Sequence, residues 1–296
     1  MTFSPATIQS LHGLALETAK RAGVHVQSRV GNHRGAQTKE GGDTLASQVV
    51  TEVDLESQNL ILSSLTDSLS AYDLGWLTEE SEDNASRHEK EAFWCIDPID
   101  GTLPFTEGVP GYSVSIALVG RSGTPLIGVI HDPVHSTTYH AYQGGGAMRD
   151  GALLSAVGAG SSAHHLTWVM DRSMKKSIEY SRAQESLEEL ARQHGLGGVT
   201  ILDHAGAVLN ACLVMQHKPA VYFKFPKSTR GGGSVWDYAA TACLFAQWGQ
   251  PPTDLFGAPL QLNPKGSTFM NEKAVVYASS GELQEAVLSL YREIRA

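Results

Sequence analysis

Apolar residues recur at helical spacing near the start of the chain, at Ile8, Leu11, Ala15, Ala19 and Ala22. This spacing predicts a helix with one apolar face over residues 7–26. Residues 31–43 are polar and rich in glycine, include Lys39, and predict a loop. A second apolar run follows Asp54 and predicts a helix that begins near that residue.

The middle of the chain changes to short β-rich runs separated by glycine and proline turns. These runs lie at residues 114–119, 126–130, 137–142 and 147–157. They predict a largely antiparallel meander. The C-terminal half alternates again, with helices predicted at residues 177–193, 205–216, 238–248 and 282–294. Strands are predicted between them at residues 199–202, 221–225 and 273–278.

The most informative stretch precedes the meander, where residues 93–102 read Phe-Trp-Cys-Ile-Asp-Pro-Ile-Asp-Gly-Thr. The apolar start predicts a buried strand, and Pro98 and Gly101 predict that the strand breaks there. Asp97 and Asp100 lie at this break, and the hydroxyl of Thr102 follows directly. Hard oxygen ligands beside free backbone N–H groups suit a divalent cation with a phosphate next to it.

Further acidic residues follow apolar segments or open helices. Asp54 lies at a predicted helix start, where an acid by itself is typical of a cap. Glu79 and Glu80 follow a short apolar run, and adjacent acids of this kind are usually solvated. Asp237 follows three glycines and opens a nearly apolar helix, so it is expected at an interior site. If these acids meet the two strand aspartates, they form an all-oxygen site of the type that Mg²⁺ prefers.

Composition and charge narrow the possible partners. The chain has 296 residues, of which 42% are hydrophobic and 18% charged, as in ordinary globular proteins. Lys plus Arg is 22 and Asp plus Glu is 31, so the formal net charge is 22 − 31 = −9. This charge disfavours nucleic acid polymers and anionic membranes as partners. It leaves open a small phosphorylated ligand, whose binding depends on the local field.

The cysteines and the N-terminal residues indicate the cellular compartment in which the protein is expected. Cys95, Cys212 and Cys243 are odd in number, widely spaced and free of any CxxC pattern. They indicate buried thiols in a reducing environment. No apolar run approaches the ~20 residues that span a bilayer. Glu17 interrupts the N-terminal apolar residues, which argues against a signal peptide. We therefore expect a cytoplasmic protein.

The order Asp, Glu-Glu, Asp-Pro-Ile-Asp-Gly-Thr and Trp-Asp resembles the lithium-sensitive, Mg²⁺-dependent phosphatase superfamily. That superfamily includes inositol monophosphatases, 3′(2′),5′-bisphosphate nucleotidases and, more distantly, fructose-1,6-bisphosphatases. The resemblance runs from about residue 50 to the C-terminus. It implies an α+β fold, a layered α-β-α-β-α sandwich with mixed and antiparallel sheets, and a homodimer. Residues 1–160 are expected to form the half that carries the metal site, and residues 161–296 the half that completes it.

The resemblance also implies roles, including two or three Mg²⁺ ions. The metal-binding positions match Glu79, Asp97, the backbone carbonyl of Ile99, Asp100 and Asp237. Thr102 matches the hydroxyl that orients the attacking water, and Asp54 matches the acid paired with it. The N–H groups of Gly101 and Thr102 match phosphate-binding positions. Glu80 matches a supporting acid.

One departure near the metals and one rival bear on this interpretation. Pro104 stands where the family has Asn or Glu, so a changed loop geometry is expected near the metals. A regulatory paralogue that binds metal and phosphate with little turnover therefore stays open as an alternative. Phosphatases that use an aspartyl phosphate carry Asp-x-Asp, whereas the two acids here are three residues apart. The intact set of acids favours a metal-dependent phosphomonoesterase that needs no nucleophilic side chain.

The substrate is less clearly marked. Arg230 occupies the place of an acid that binds a substrate hydroxyl in inositol monophosphatases, whereas residues 221–226 are similar to the nucleotidase branch. A basic side for a second phosphate would comprise Lys224, Lys227, Arg230 and Lys39. A simple solvated basic loop is the alternative. Residues 205–210 look closer to the inositol branch. We expect 3′-phosphoadenosine 5′-phosphate as the substrate, with inositol monophosphate or another polyol or sugar phosphate left open.

Overall fold

The computed structural model describes residues 3–31, 37–38, 49–50, 52–155 and 164–295. Lys39, which was predicted to contribute to a basic side, lies outside these residues. A search of the described helices finds none that is long and apolar enough to cross a membrane.

The elements alternate much as the apolar pattern predicts. The helices are α1 (Pro5–Ser28), α2 (Glu52–Ala71), α3 (Ser86–Glu89), α4 (Thr102–Glu107), α5 (Tyr180–Gln193), α6 (Ala207–Gln216), α7 (Val235–Trp248) and α8 (Gly281–Arg295). A 3₁₀ helix spans Arg172–Lys176. The strands are β1 (Gln37–Thr38), β2 (Val49–Val50), β3 (Leu74–Thr78), β4 (Ala92–Asp100), β5 (Ser113–Gly120), β6 (Pro125–Asp132), β7 (Thr137–Tyr142), β8 (Gly146–Arg149), β9 (Ala152–Leu153), β10 (Leu166–Val169), β11 (Val199–Leu202), β12 (Ala220–Phe223) and β13 (Val276–Ala278).

Two sheets organise the described chain. Within the described ranges, the large sheet has seven strands in sequence order from β3 to β9. Its first pair, β3 and β4, is parallel, and the remaining pairs are antiparallel. The small sheet has the order β11-β10-β12-β13, parallel except for its last pair. The predicted meander and the mixed sheets are therefore confirmed.

Side-chain alternation along the strands builds five layers. In β4, Trp94 and Ile96 pack with helices α1 and α2, whereas Phe93 and Cys95 pack with helices α6 and α7. In β12, Tyr222 joins the same α6–α7 core, and its neighbours face α5 and α8. Because successive residues of a strand point to opposite faces, each sheet is covered by helices on both sides. The order is α-β-α-β-α, as expected.

The strand that carries the two acids ends directly before Gly101, as predicted, but it does not end at Pro98, so that part of the prediction is wrong. β4 continues to Asp100. Asp97 pairs with Ser115 and Asp100 pairs with Ser113, so three steps on β4 oppose two steps on β5. This one-residue excess is a β-bulge, which accommodates a proline because the ladder hydrogen bonds are interrupted there.

Several boundaries also differ from the predicted ones. The helix expected over residues 177–193 begins at Tyr180, after the 3₁₀ turn. The strand expected over residues 273–278 covers Val276–Ala278 alone. β10 was not predicted, because a four-residue apolar run is too short for its period to be recognised. Strands β3–β9 precede residue 154 and β10–β13 follow residue 165, while the division into halves at residue 160 stays a prediction.

Candidate active site

The bulge in β4 turns two acids toward one another. In a regular strand, residues three apart point to opposite faces, because side chains alternate with a period of two. The extra residue of the bulge removes one step of this alternation. Asp97 and Asp100 consequently both face α6 and α7, and both are buried. Ile99 N–H donates to Asp97 Oδ1 at 3.1 Å, and Ser57 Oγ donates to the carbonyl of Pro98 at 3.1 Å.

The third acid comes from the start of α7. Ser234 is the N-cap residue, and its backbone N–H donates to Asp237 Oδ2 at 2.6 Å. This contact fixes the carboxylate in the first turn, where the helix dipole favours negative charge. Asp97, Asp100 and Asp237 each offer a carboxylate oxygen, and these oxygens lie within 4.8 Å of one another. We call these three residues the carboxylate cluster.

Glu79 and Glu80 lie beside the cluster because β3 runs parallel to β4. Glu79 N–H continues the ladder by donating to the carbonyl of Ile96 at 3.2 Å, one residue before Asp97. The following turn is held by Gln58 of α2. The Gln58 side chain accepts from Glu80 N–H at 3.0 Å and donates to Ser81 Oγ at 2.7 Å. The pair predicted from adjacent acids is therefore fixed at the strand end rather than free on a loop.

The electrostatics of the cluster are those of crowded, buried acids. Burial, followed by the charges of Glu79 and Asp100, raises the pKa of Asp97 well above its usual range. Asp54, which is buried in the first turn of α2, adds to the same effect. Burial and then Asp237 raise the pKa of Asp100 in the same way. Carboxylates crowded out of water in this way need positive charge beside them to remain ionised.

The turn after β4 carries the predicted catalytic hydroxyl. Gly101 adopts φ 85°, and α4 begins at Thr102. Thr102 is 9% exposed, and its Oγ1 donates to the carbonyl of Ile99 at 3.3 Å. Pro104 is the third residue of α4, where the backbone N–H has no helical partner and proline is tolerated. The departure at Pro104 therefore fits the helix that follows the site.

The backbone before α6 closes tightly against the cluster. Gly206 is the N-cap residue of α6, and a Cβ placed there would lie 2.3 Å from Asp100 Oδ2 and 2.7 Å from the nitrogen of Gly101. The next turn supplies Val208 N–H, which donates to Asp100 Oδ2 at 3.0 Å. Gly206 and Val208 were not predicted as site residues, although they lie in the stretch similar to the inositol branch.

The predicted basic residues differ in burial: Lys224 is largely buried, whereas Lys227 and Arg230 are exposed. The Lys224 side chain is 12% exposed and lies 2.8 Å from Asp171 Oδ2. Its Nζ also donates to the carbonyl of Gly232 at 2.8 Å. Arg230 is exposed on the loop between β12 and α7, and Lys227 is exposed on the same loop. The structure therefore brings Lys224 next to the acids and leaves the other two on the surface.

The donor set fits a hard divalent cation. The three grouped ligand atoms are all carboxylate oxygens, and Glu79 and Asp54 act on them from nearby. Mg²⁺ prefers such oxygens, whereas Zn²⁺ in proteins is usually held by imidazole or thiolate ligands. These carboxylates can hold a cation, and the backbone N–H groups of Gly101 and Thr102 can bind a phosphate next to it.

Sequence reasoning missed the residues that hold the acids in place. Gln58, Ser57 and Asp171 contact the site turns or Lys224 from other elements, at sequence distances of 22, 41 and 53 residues respectively. Their residue types are common in any helix or turn. A single sequence therefore carried no signal for them.

Comparisons with known proteins identify the family. The Inositol monophosphatase family model matches residues 8–296. The chain is 25% identical over 282 residues to Nus factor SuhB of Vibrio cholerae, which covers 95% of both proteins. It is 23% identical over 289 residues to inositol-1-monophosphatase of Bacillus subtilis, covering 95% of this chain and 96% of that one. It is 29% identical over 224 residues to 3′(2′),5′-bisphosphate nucleotidase CysQ of Shigella flexneri, covering 75% and 82%.

Solved structures with a similar fold include an inositol monophosphatase. The structure matches the IMPase of Thermotoga maritima with a TM-score of 0.72 at 22% identity, covering 97% of this chain and 99% of that one. Members of the matched family are phosphatases that generally use Mg²⁺. The match spans nearly the whole chain and includes every element of the candidate site. The chain belongs to the inositol monophosphatase family of phosphatases.

Proposed function

We propose that the carboxylate cluster is the metal centre of a Mg²⁺-dependent phosphomonoesterase. The grouping of three carboxylates within 4.8 Å, of which Asp97 and Asp100 are buried and Asp237 is partly buried, carries this proposal. Glu79 and the carbonyl of Ile99 complete the proposed set for two or three Mg²⁺ ions, and Glu80 supports it. When bound, Mg²⁺ supplies Lewis acidity that polarises phosphoryl oxygens and lowers the pKa of water.

The chain's own groups then have separate roles. Thr102 Oγ1 orients the attacking water, and Asp54 is the acid paired with it. The backbone N–H groups of Gly101 and Thr102 bind the phosphoryl oxygens at the start of α4. Val208 N–H holds Asp100 in its orientation. None of these roles requires a covalent intermediate with a side chain, so each group positions or transfers a proton.

For the substrate we propose a small bisphosphate nucleotide such as 3′-phosphoadenosine 5′-phosphate. The loop between β12 and α7 supports this, because it replaces an expected acid by Arg230 and buries the charge of Lys224 beside the cluster. Lys224 and Arg230 are the proposed contacts to the second phosphate. The similarity to CysQ over 75% of the chain also supports this choice.

Inositol monophosphate, or another polyol or sugar phosphate, is the second candidate. It is supported by Gly206, which lies in the stretch similar to the inositol branch and packs directly against Asp100. The similarity to inositol-1-monophosphatase covers 95% of the chain, more than the similarity to CysQ. A homodimer and a cytoplasmic location also stay predictions, which light scattering and fractionation would test.

A side-by-side rate comparison tests the substrate. Phosphate release with Mg²⁺ is measured for 3′-phosphoadenosine 5′-phosphate, inositol 1-phosphate and fructose 1,6-bisphosphate. We expect the highest kcat/KM for the nucleotide. The Arg230→Glu variant should raise KM for the bisphosphate much more than for inositol 1-phosphate, and Arg192→Glu on the outer helix α5 serves as the control. Equal effects on both substrates, or a higher kcat/KM for inositol 1-phosphate, would remove the nucleotide preference.

A further inference from the structure

A buried ammonium lies beside the carboxylate cluster, and its anchor decides where it points. Among the described residues, Asp171 is the carboxylate within ion-pair distance of Lys224 Nζ, at 2.8 Å. The ammonium lies 5.4 Å from the ring centroid of Tyr238, whose hydroxyl shares the Gly232 carbonyl at 3.0 Å. Lys224 is thus held on the side of the site formed by the loop before α7.

The same ammonium lies next to the backbone that positions Asp237. Lys224 Nζ is bound to the carbonyl of Gly232, two residues before the Ser234 N–H that holds Asp237, and it lies over the ring of Tyr238, the next residue after Asp237. An ammonium this close to the cluster can compete with a divalent cation, because it can neutralise the same carboxylate oxygens. A flexible four-carbon stem lets the amine move by several ångströms when its partner is lost. Something must therefore keep it from pairing with the cluster.

Asp171 is itself held from two further elements. Its Oδ1 accepts from Asn210 Nδ2 at 3.1 Å and from Tyr222 O–H at 3.1 Å. Asn210 lies on α6 and Tyr222 on β12, so the carboxylate is fixed by the inner helix layer and the small sheet together. These two neutral donors occupy one oxygen and leave Oδ2 directed at Lys224. The geometry is that of a built anchor rather than a chance surface pair.

Resting on the proposed metal site, we propose that Asp171 is a positioning residue: it holds the Lys224 ammonium off the carboxylate cluster and leaves those oxygens to a divalent cation. Two consequences follow. Asp171→Asn keeps the size of the side chain and removes the charge, so the released ammonium turns toward the cluster. Lys224→Met in the same chain removes that competitor, so the second substitution should correct the first.

The test is a calorimetric titration of purified chain with Mg²⁺ alone. Asp171→Asn should raise the Mg²⁺ Kd by about tenfold or more, since an ammonium paired with the cluster oxygens opposes the binding of a cation there. The Asp171→Asn/Lys224→Met double variant should return to within about threefold of wild type. Thermal melts of all variants confirm that each is folded.

The outcomes separate this inference from the proposed function. An unchanged Kd in Asp171→Asn overturns the inference, and so does a double variant that binds no better than Asp171→Asn. Simple structural damage predicts the latter, because a second substitution would add to the first. If wild type does not bind Mg²⁺, or Asp97→Asn binds it equally well, the proposed metal site itself is wrong.

Discussion

Gly206 packs tightly against the proposed metal ligand Asp100, and replacing it by alanine isolates that contact. Gly206 has φ −66° and ψ 171°, a conformation that alanine adopts freely, so the substitution acts through space rather than backbone strain. The added Cβ would lie 2.3 Å from Asp100 Oδ2 and 2.7 Å from the nitrogen of Gly101. Because one of these atoms is backbone, a side-chain rotation alone cannot relieve the overlap.

The required movement sets the size of the effect. Cβ contacts shorter than 3.0 Å are essentially never seen, so Asp100 Oδ2 and Gly206 must separate by at least 3.0 − 2.3 = 0.7 Å. Catalytic groups tolerate displacements of about 0.5 Å, and misplacement by about 1 Å can cost about 100-fold in rate. We therefore expect Gly206→Ala to lower kcat/KM about 100-fold, which corresponds to about 2.7 kcal/mol of transition-state stabilisation. The overpacking should also lower the free energy of unfolding by about 1–3 kcal/mol.

Steady-state phosphate release at several Mg²⁺ concentrations, with a thermal melt, measures both effects. Gly13→Ala is the matched control, because a Cβ there meets nothing within 4 Å. Gly13 lies inside α1, so alanine should raise the free energy of unfolding by about 0.5–1 kcal/mol and leave kcat/KM unchanged. Activity of Gly206→Ala within threefold of wild type, with an unchanged melting temperature, would refute the placement of α6 against Asp100.

Three further predictions follow from other parts of the structure. Arg87 is 1% exposed and forms an ion pair and two further hydrogen bonds. Arg87→Ala should therefore lower the free energy of unfolding by about 3–5 kcal/mol, whereas Arg121→Ala, at an exposed ion pair, should lower it by at most about 1 kcal/mol. Equal urea midpoints for the two variants would contradict this. Burial lowers the pKa of His12 from 6.5 to about 4. As the pH falls, His12 is protonated in the unfolded chain before it is protonated in the folded chain. The free energy of unfolding should therefore fall by about 3 kcal/mol as the pH drops from about 6.5 to 4. Urea denaturation should show a smaller fall in His12→Gln, and an identical fall would disprove this assignment. Thr102→Val should lower kcat about 100-fold or more while Thr102→Ser stays within tenfold of wild type, because serine keeps the hydroxyl; equal loss in both would argue against the hydroxyl role.

The acids could be predicted from the sequence because each stands beside a strong local signal. Asp237 follows a glycine run and opens an apolar helix, and Glu79 ends a short apolar strand. Such signals depend on neighbours along the chain, which a single sequence shows directly. The layered fold was predicted for a related reason, since it came from a motif order that spans most of the chain.

What the sequence could not show depends on contacts between distant elements. Pro98 looked like the end of a strand, because a bulge is defined by the pairing with β5 and not by β4 alone. Lys224 looked like a free substrate contact, since its partner Asp171 lies 53 residues away in an ordinary turn. Pro104 looked disruptive, and only the position of α4 shows that it falls within the first helical turn.

Asp97→Asn asks whether the carboxylate cluster holds Mg²⁺ for phosphate ester hydrolysis. The variant keeps the size of the side chain and removes a ligand charge at the centre of the cluster. Phosphate release from 3′-phosphoadenosine 5′-phosphate and inositol 1-phosphate is measured across a Mg²⁺ titration for both proteins. We expect Mg²⁺-dependent turnover in wild type and its loss in Asp97→Asn by at least about 100-fold, with an unchanged fold. Turnover by Asp97→Asn close to that of wild type, or wild-type turnover that persists in excess chelator, would contradict it.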